Sequence, residues 1–416
     1  MENIKTRFIL SLVVLSGLLV LGTGSLCQAS GSSEKFTVSL VKAENGTYNI
    51  TPSIPDDGNV AAGTVLTITA IPDSGYSLDC IYYTVQGGMW GTTSYEYFVP
   101  EARITVDQDM QVGAIFIESS LVENINVTHD VVFAQPGVKP LKYDVFSPKG
   151  ARNLPAIIIV HGGGWSSNNE DIMRGLAREL VKGNQYVVFS IDYRWINTLD
   201  GDAEPNHMHD LINDVFGAIA HIQEHAAEYG ADPTRIAVTG DSAGGHLSAA
   251  AALLSPLIGD RGFGEKDGIY EYLPTYMPKG KSVKQVREEI TRAIKAAAPS
   301  YGPFDAADFS GFLAQTDQGY LDAISPINHI PHVSERAIPH FMVRGTRDFL
   351  ISHEMVQNYT DLLKAAGQRA VYVQVEDAGH AFFDWKPDAR TRDEFARFGV
   401  PWAEEMKAFF DSVFYE

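Results

Sequence analysis

The 416-residue sequence predicts a mostly parallel α/β sheet flanked by helices, preceded by a small all-β module. Three observations carry that expectation. Before Glu118 apolar and polar residues alternate with period two; after it, β-branched apolar runs alternate with helical patterns; and glycine-rich turns follow several of those runs. The length suits one large domain and one small one. In chain order this gives an export signal over residues 1–29, the β-module over 30–120 and the α/β domain over 121–416.

The first segment follows from charge and hydropathy. Lys5 and Arg7 precede an apolar run from Phe8 to Leu21, and Cys27-Gln28-Ala29 supplies a small-residue cleavage site. That run is short for a bilayer span, and no later stretch approaches ~20 apolar residues. The expectation is therefore a secreted, periplasmic or cell-surface protein with no transmembrane segment once the signal is removed. Cys27 could also be the acylated cysteine of a lipoprotein, with Leu26 where a small residue usually precedes it. Signal removal leaves Cys80 as the remaining thiol, so stability must come from packing rather than an intrachain disulfide. A net charge of -20 repels phosphate backbones, and nucleic acid is not an expected partner.

In the β-module, Leu66, Ile68 and Ala70 alternate with Thr67 and Thr69; later Met110, Val112, Ala114 and Phe116 alternate with Gln111, Gly113 and Ile115. Gly, Pro and Asp at the breaks indicate short antiparallel strands. The α/β domain offers strands at Ala156–Val160, Tyr186–Ile191, Arg235–Thr239, Phe341–Arg344 and Val371–Val375, with helical patterns at Leu211–Tyr229 and His353–Ala366. Continuous apolar runs of this kind suit strands buried on both faces. The Gly-, Tyr- and Pro-rich stretch 257–281 reads as an insertion near the top of the sheet, and as part of a candidate lid.

Two motifs carry chemistry. Gly240-Asp241-Ser242-Ala243-Gly244 joins a strand to the helical run from His246, so Ser242 sits on a tight turn at the start of a helix. His161-Gly162-Gly163-Gly164-Trp165 follows the strand Ala156–Val160. Glycines let backbone N–H groups approach a developing oxyanion, and Gly162, Gly163 and Ala243 are the expected donors. His161 reads as a brace for the loop. A serine hydroxyl needs a base, and the base needs an orienting carboxylate. Asp348 and His380 each follow a late strand in the chain order that this arrangement requires, with Asp377 and Asp384 as the nearest competing acids.

His161–Trp165, Asp192-Tyr193-Arg194, Asp232-Pro233-Thr234-Arg235-Ile236, the turn at Ser242 and Ser325-Pro326-Ile327 together resemble the α/β-hydrolases of the acetyl-esterase/lipase branch related to hormone-sensitive lipase. Secreted feruloyl and acetyl-xylan esterases are the nearest analogy. The resemblance implies a cofactor-free serine esterase with Ser242, Asp348 and His380 as its triad. It also implies an ester substrate, with polysaccharide-linked esters as one candidate class. After Arg194 the chain departs from the family pattern, because the acid- and histidine-rich loop 200–210 intervenes where the acyl pocket is expected. The segment Gly63–Ala70, Pro72–Tyr76 and Gly113–Phe116 resembles the divergent InlB B-repeat, with Ile81 near the place where that repeat carries Trp.

Other readings stay open at this point. An exported prolyl-type peptidase would use the same triad order, and a surface-binding protein could retain a vestigial hydrolase domain. The loop 200–210 could hold a cation, but it lacks the ordered helical spacing of a metal site, and no metal is expected. Tyr82, Tyr83, Trp90, Tyr95 and Tyr97 could form a sugar-stacking face or simply pack a core.

Overall fold

The computed structural model describes residues 34–87 and 91–416. The expected signal with Cys27, and Trp90, lie outside the described residues.

The β-module contains β1 (Lys35–Leu40), β2 (Gly46–Thr51), β3 (Asn59–Ala61), β4 (Val65–Pro72), β5 (Tyr76–Gln86), β6 (Thr92–Tyr97), β7 (Glu101–Thr105) and β8 (Met110–Glu118). They form a five-stranded sheet, β3-β1-β8-β5-β6, and a three-stranded sheet, β2-β4-β7. Leu66 and Ile68 of one sheet meet Val112, Ala114 and Phe116 of the other in a single apolar core, as the period-two pattern requires. Most pairs are antiparallel, but β1 runs parallel to β8, a pairing that alternation alone does not reveal.

The module turns into the second domain at a short helical turn, Ser119–Leu121. There β9 (Ile125–Ala134) and β10 (Leu141–Pro148) form an antiparallel edge, and β11 (Leu154–Val160), β12 (Val187–Ile191), β13 (Ala231–Asp241), β14 (Ile294–Ser300), β15 (His340–Gly345) and β16 (Ala370–Val375) run parallel to one another. The order is β16-β15-β14-β13-β11-β12-β10-β9. Helices α1 (Arg174–Val181), α2 (Met208–His225), α3 (Ala243–Leu254), α4 (Val283–Ala293), α5 (Gln318–Ile324), α6 (His353–Ala365), α7 (Ala389–Glu394) and α8 (Val400–Phe414) complete the domain.

Both faces of the sheet are covered, which is why its strands show no alternation. Ile158 and Val160 of β11 join the core built with α2, α3, α4 and α6, whereas Ile157 and Ile159 point into the core built with α1 and α8. Strand β14 escaped the sequence reading because Ala296, Ala297 and Ala298 carry no β-branched signal, yet all are fully buried. The helix expected over Leu211–Tyr229 begins earlier, at Met208, and its last turn tightens at Ala226–Tyr229 before Gly230, at φ 80°, ends it.

The stretch 257–281 is anchored to its neighbouring helices. Its Tyr272 hydroxyl donates to the Ala323 carbonyl at 3.0 Å, and Leu273 N–H and Thr275 N–H donate to the Asn213 side chain and carbonyl at 2.9 and 3.0 Å. It is bound to α2 and to the end of α5.

A buried cluster of charges joins module to domain. Asp79 of β5 accepts from Arg174 Nη2 and Nε at 3.0 and 3.1 Å, from Arg178 Nη1 at 2.5 Å and from the Trp385 indole at 3.0 Å. Glu96 of β6 meets Arg174 Nη2 at 2.5 Å. Burial alone would raise the Asp79 pKa, but the two guanidinium groups outweigh it and hold the carboxyl below its usual range.

Candidate active site

Strands β11, β13, β15 and β16 end at the same edge of the sheet, where open α/β sheets carry their sites. Ser242 lies between the end of β13 and the start of α3, at φ 52° and ψ −117°, a region costly for a residue with a side chain. The residues two places to either side of it must be glycine. A Cβ on Gly240 would stand 2.4 Å from the Gly244 carbonyl oxygen, and one on Gly244 would stand 2.0 Å from that of Val160. Strand and helix pass so closely that no other residue fits. Ser242 N–H donates to the Ser300 carbonyl at 3.0 Å, fixing the turn to β14.

His380 and Asp348 sit on neighbouring loops, which Gly345 lets approach: a Cβ there would be 2.2 Å from the Ala378 carbonyl oxygen. His380 Nε2 lies 2.8 Å from Ser242 Oγ, and its Nδ1 lies 2.7 Å from Asp348 Oδ2. A carboxylate can only accept, so Nδ1 carries the proton and the Nε2 lone pair faces the serine hydroxyl. Asp348 Oδ1 accepts from Leu350 and Ile351 N–H at 2.9 and 3.0 Å, and Arg344 Nη2 donates to the Asp348 carbonyl at 2.8 Å. The acid is thus locked before it orients the base. Of the competing acids, Asp377 pairs with Arg347, and Asp384 faces Asp241 instead of His380 Nδ1.

The glycine loop differs from expectation at one position. Gly162 N–H donates to Asp241 Oδ1 at 2.7 Å, so it is spent and cannot serve an oxyanion. Its lack of a side chain answers to Asp241 as well, whose Oδ2 would lie 2.5 Å from a Cβ. Among the described residues, Gly163 and Gly164 N–H groups have no protein acceptor, and both residues have positive φ, 121° and 60°. Ala243 N–H is in the first turn of α3, where no intrahelical acceptor exists. His161 braces the loop from below: its Nε2 lies 3.1 Å from Asp192 Oδ1, its Nδ1 lies 2.7 Å from the Gly162 carbonyl, and its ring stacks on Tyr193. Lys139 Nζ donates to the same Asp192 oxygen at 2.7 Å.

Sequence reasoning missed several supporting groups. Asp241 occupies a variable place in its motif, and only the fold shows it holding Gly162. Burial, then the facing Asp384, pushes its carboxyl well above the usual range; burial also raises that of Asp384. Tyr301 places its ring against His380 with centroids 5.1 Å apart and accepts the Phe383 N–H at 3.1 Å.

The loop 200–210 is structural where the structure shows its partners. Asp200 accepts the Trp195 N–H at 2.6 Å, Asp202 the Val138 N–H at 2.6 Å, and Asp210 the His207 N–H at the start of α2 at 2.8 Å. His209 packs against Tyr270 and Tyr320.

A family model described as BD-FAE matches residues 143–363, and one described as the divergent InlB B-repeat domain matches residues 36–116. The chain is 29% identical over 249 residues to the probable carboxylic ester hydrolase LipM of Mycobacterium tuberculosis, covering 55% of this chain and 49% of that protein. It is 40% identical over 125 residues to the carboxylesterase NlhH of the same organism, covering 30% of this chain and 37% of that protein. The chain thus spans about half the length, or less, of these curated relatives. The native structure of esterase 2 from Thermogutta terrifontis superposes with a TM-score of 0.51 at 23% identity, over 70% of this chain and 95% of that one, a likeness of fold. Fold, motif and match agree: the chain belongs to the BD-FAE family of α/β-hydrolases, preceded by a divergent InlB B-repeat domain.

Proposed function

We propose that this protein hydrolyses carboxylic esters through an acyl-Ser242 intermediate. The observation that supports it most is the unbroken hydrogen-bonded relay from Ser242 through His380 to Asp348. Ser242 Oγ attacks the carbonyl carbon as its proton passes to His380 Nε2. Negative charge then gathers on the carbonyl oxygen, where the N–H groups of Gly163, Gly164 and Ala243 receive it. Collapse of the tetrahedral intermediate breaks the bond to the alcohol, which leaves with the proton from His380. Water, deprotonated by the same imidazole, attacks the acyl-serine, and the acid departs as Ser242 recovers its proton. Asp348 keeps the ring in the required tautomer throughout.

The curated relatives named above are ester hydrolases by name, which supports the class of reaction. As the finer reading, the protein is exported and acts on acetyl or feruloyl esters of plant polysaccharides. Hydrolysis of p-nitrophenyl acetate, butyrate and octanoate by wild type and Ser242→Ala tests the core reading. Activity that survives the substitution would remove Ser242 as nucleophile, and no activity on any ester would remove the esterase. Release of acetate from acetylated xylan tests the finer one.

A further inference from the structure

The β-module contributes nothing to the relay, yet it walls the cavity into which His380 opens. That cavity encloses about 1180 Å³. Pockets for drug-sized ligands span roughly 300–1,000 Å³, and a short acyl group needs only a small share of such a volume. The cavity meets the site on the side of His380 and Ala381. His380 Nε2 has to protonate the departing oxygen, so this is the side on which the alcohol portion of an ester lies.

The register of β5 on β6 decides what the wall presents. Tyr82 pairs with Glu96, Thr84 with Ser94 and Gln86 with Thr92, so these side chains share one face. Of them, Tyr82, Thr84, Thr92, Ser94 and Glu96 line the cavity. Tyr83 and Tyr97 turn the other way, towards the module's own core, whereas Tyr95 stacks on Tyr83 with ring centroids 4.7 Å apart and still reaches the cavity. The aromatic set read from the sequence is therefore split between two faces. Thr84 and Ser94 hydroxyls lie 3.0 Å apart; after that bond, one donor proton and several lone pairs remain for a ligand. Across the cavity stand Asn168 and Trp195, a paired amide and a broad ring. Basic and acidic side chains along the lining balance, although the whole chain carries -20, so the cavity sets up no field for a polyanion.

Nor is the wall loosely attached. Asp79 on β5 and Glu96 on β6 are tied to Arg174, and Asp79 also to Arg178. The hydroxyl face is held at a fixed distance from Ser242, as a positioning surface must be.

We infer that the β5–β6 face of the module binds the alcohol portion of the ester, and that this portion is an uncharged, hydroxyl-rich chain longer than one sugar ring. This rests on the reading of Ser242 as an esterase nucleophile, and it makes the module the specificity wall of that site. The test uses the full chain and compares kcat/KM for acetylated xylohexaose, acetylated methyl xyloside and p-nitrophenyl acetate. Wild type should prefer the long substrate to the short one by about tenfold, and Ser94→Trp, which fills the wall, should abolish that preference. Thr84→Val, which keeps the volume and removes a hydroxyl, should reduce it about threefold and guards against a misfolded Trp variant. A preference for chain length that is absent in wild type, or intact in both variants, overturns the proposal. Failure of wild type to hydrolyse p-nitrophenyl acetate would strike the esterase reading instead. Calorimetric binding of the xylohexaose to the full chain, weakened about tenfold in Ser94→Trp or unchanged, would then decide the role of the wall by itself.

Discussion

Asp348 and Asp79 are both buried carboxylates, and their surroundings differ in kind. Asp348 is held by two backbone N–H groups and one imidazole. Asp79 is held by two guanidinium groups and an indole. Backbone amides fix a carboxylate without supplying charge, so the group retains its influence over the one partner that can gain a proton. Two arginines saturate it, and neither of them gives up a proton at ordinary pH. The first arrangement suits chemistry and the second suits a joint, so the kind of partner, rather than burial, separates the two roles.

The comparison can be broken most directly at the relay. Ser242→Ala should lower kcat on p-nitrophenyl acetate by roughly 10⁴-fold or more, and Asp348→Asn by about 10⁴-fold, with melting temperatures little altered. Steady-state kinetics beside thermal melts would show it; a joint-like loss of stability in Asp348→Asn would erase the distinction. Asp79→Ala should show the reverse emphasis. It leaves Arg178 buried without its counter-charge and Arg174 with Glu96 alone, at a cost of about 3–5 kcal/mol in urea unfolding. A loss below about 1 kcal/mol would mean that the joint behaves like a surface ion pair.

Gly162→Ala tests the support beneath the oxyanion loop. Its new methyl would meet Asp241 Oδ2 at 2.5 Å, and displacement of the loop should cut kcat by about 10²-fold with KM much less affected. The smallest effect concerns Asp384. Burial raises its pKa in the folded protein, so the folded state keeps a proton that the unfolded chain releases. Stability from that proton is complete below the unfolded value of ~3.9 and is lost as pH rises through the higher folded value. Asp384→Asn should remove this slope and gain on wild type by on the order of 1 kcal/mol at alkaline pH, as followed by unfolding curves across pH. Parallel curves for the two proteins would show that the pair carries no shared proton.

The relay was legible because its geometry leaves marks in the sequence. A serine on a strained turn demands Gly240 and Gly244, and loops that meet edge to edge demand Gly345; these glycines follow β-branched runs and can be read. The two-sided sheet was legible from its continuous apolar strands, apart from β14, whose alanines make room for α3 and so erase the usual signal. Gly162 was misread because a glycine beside an oxyanion and a glycine beside a carboxylate look alike in a sequence. The joint left no mark at all. Asp79 and Arg174 are 95 residues apart, and only the docking of the module on α1 brings them together. The tyrosines show the opposite limit: composition flagged them, but only the fold shows that Tyr82 and Tyr95 reach the cavity while Tyr83 and Tyr97 pack the module's core.

That joint has a further consequence for the medium in which the protein works. Dissolved ions screen charges that they can surround, over a Debye length near ~8 Å at physiological ionic strength, and they do not enter a dry cluster of side chains. Arg174 and Asp79 are almost wholly withdrawn from solvent, at 2% side-chain exposure each. Added salt therefore relieves the mutual repulsion of a surface carrying -20 while taking little from the contact that holds the two parts together. The relative placement of wall and nucleophile is thereby insulated from changes in salinity that would loosen a joint built of exposed ion pairs.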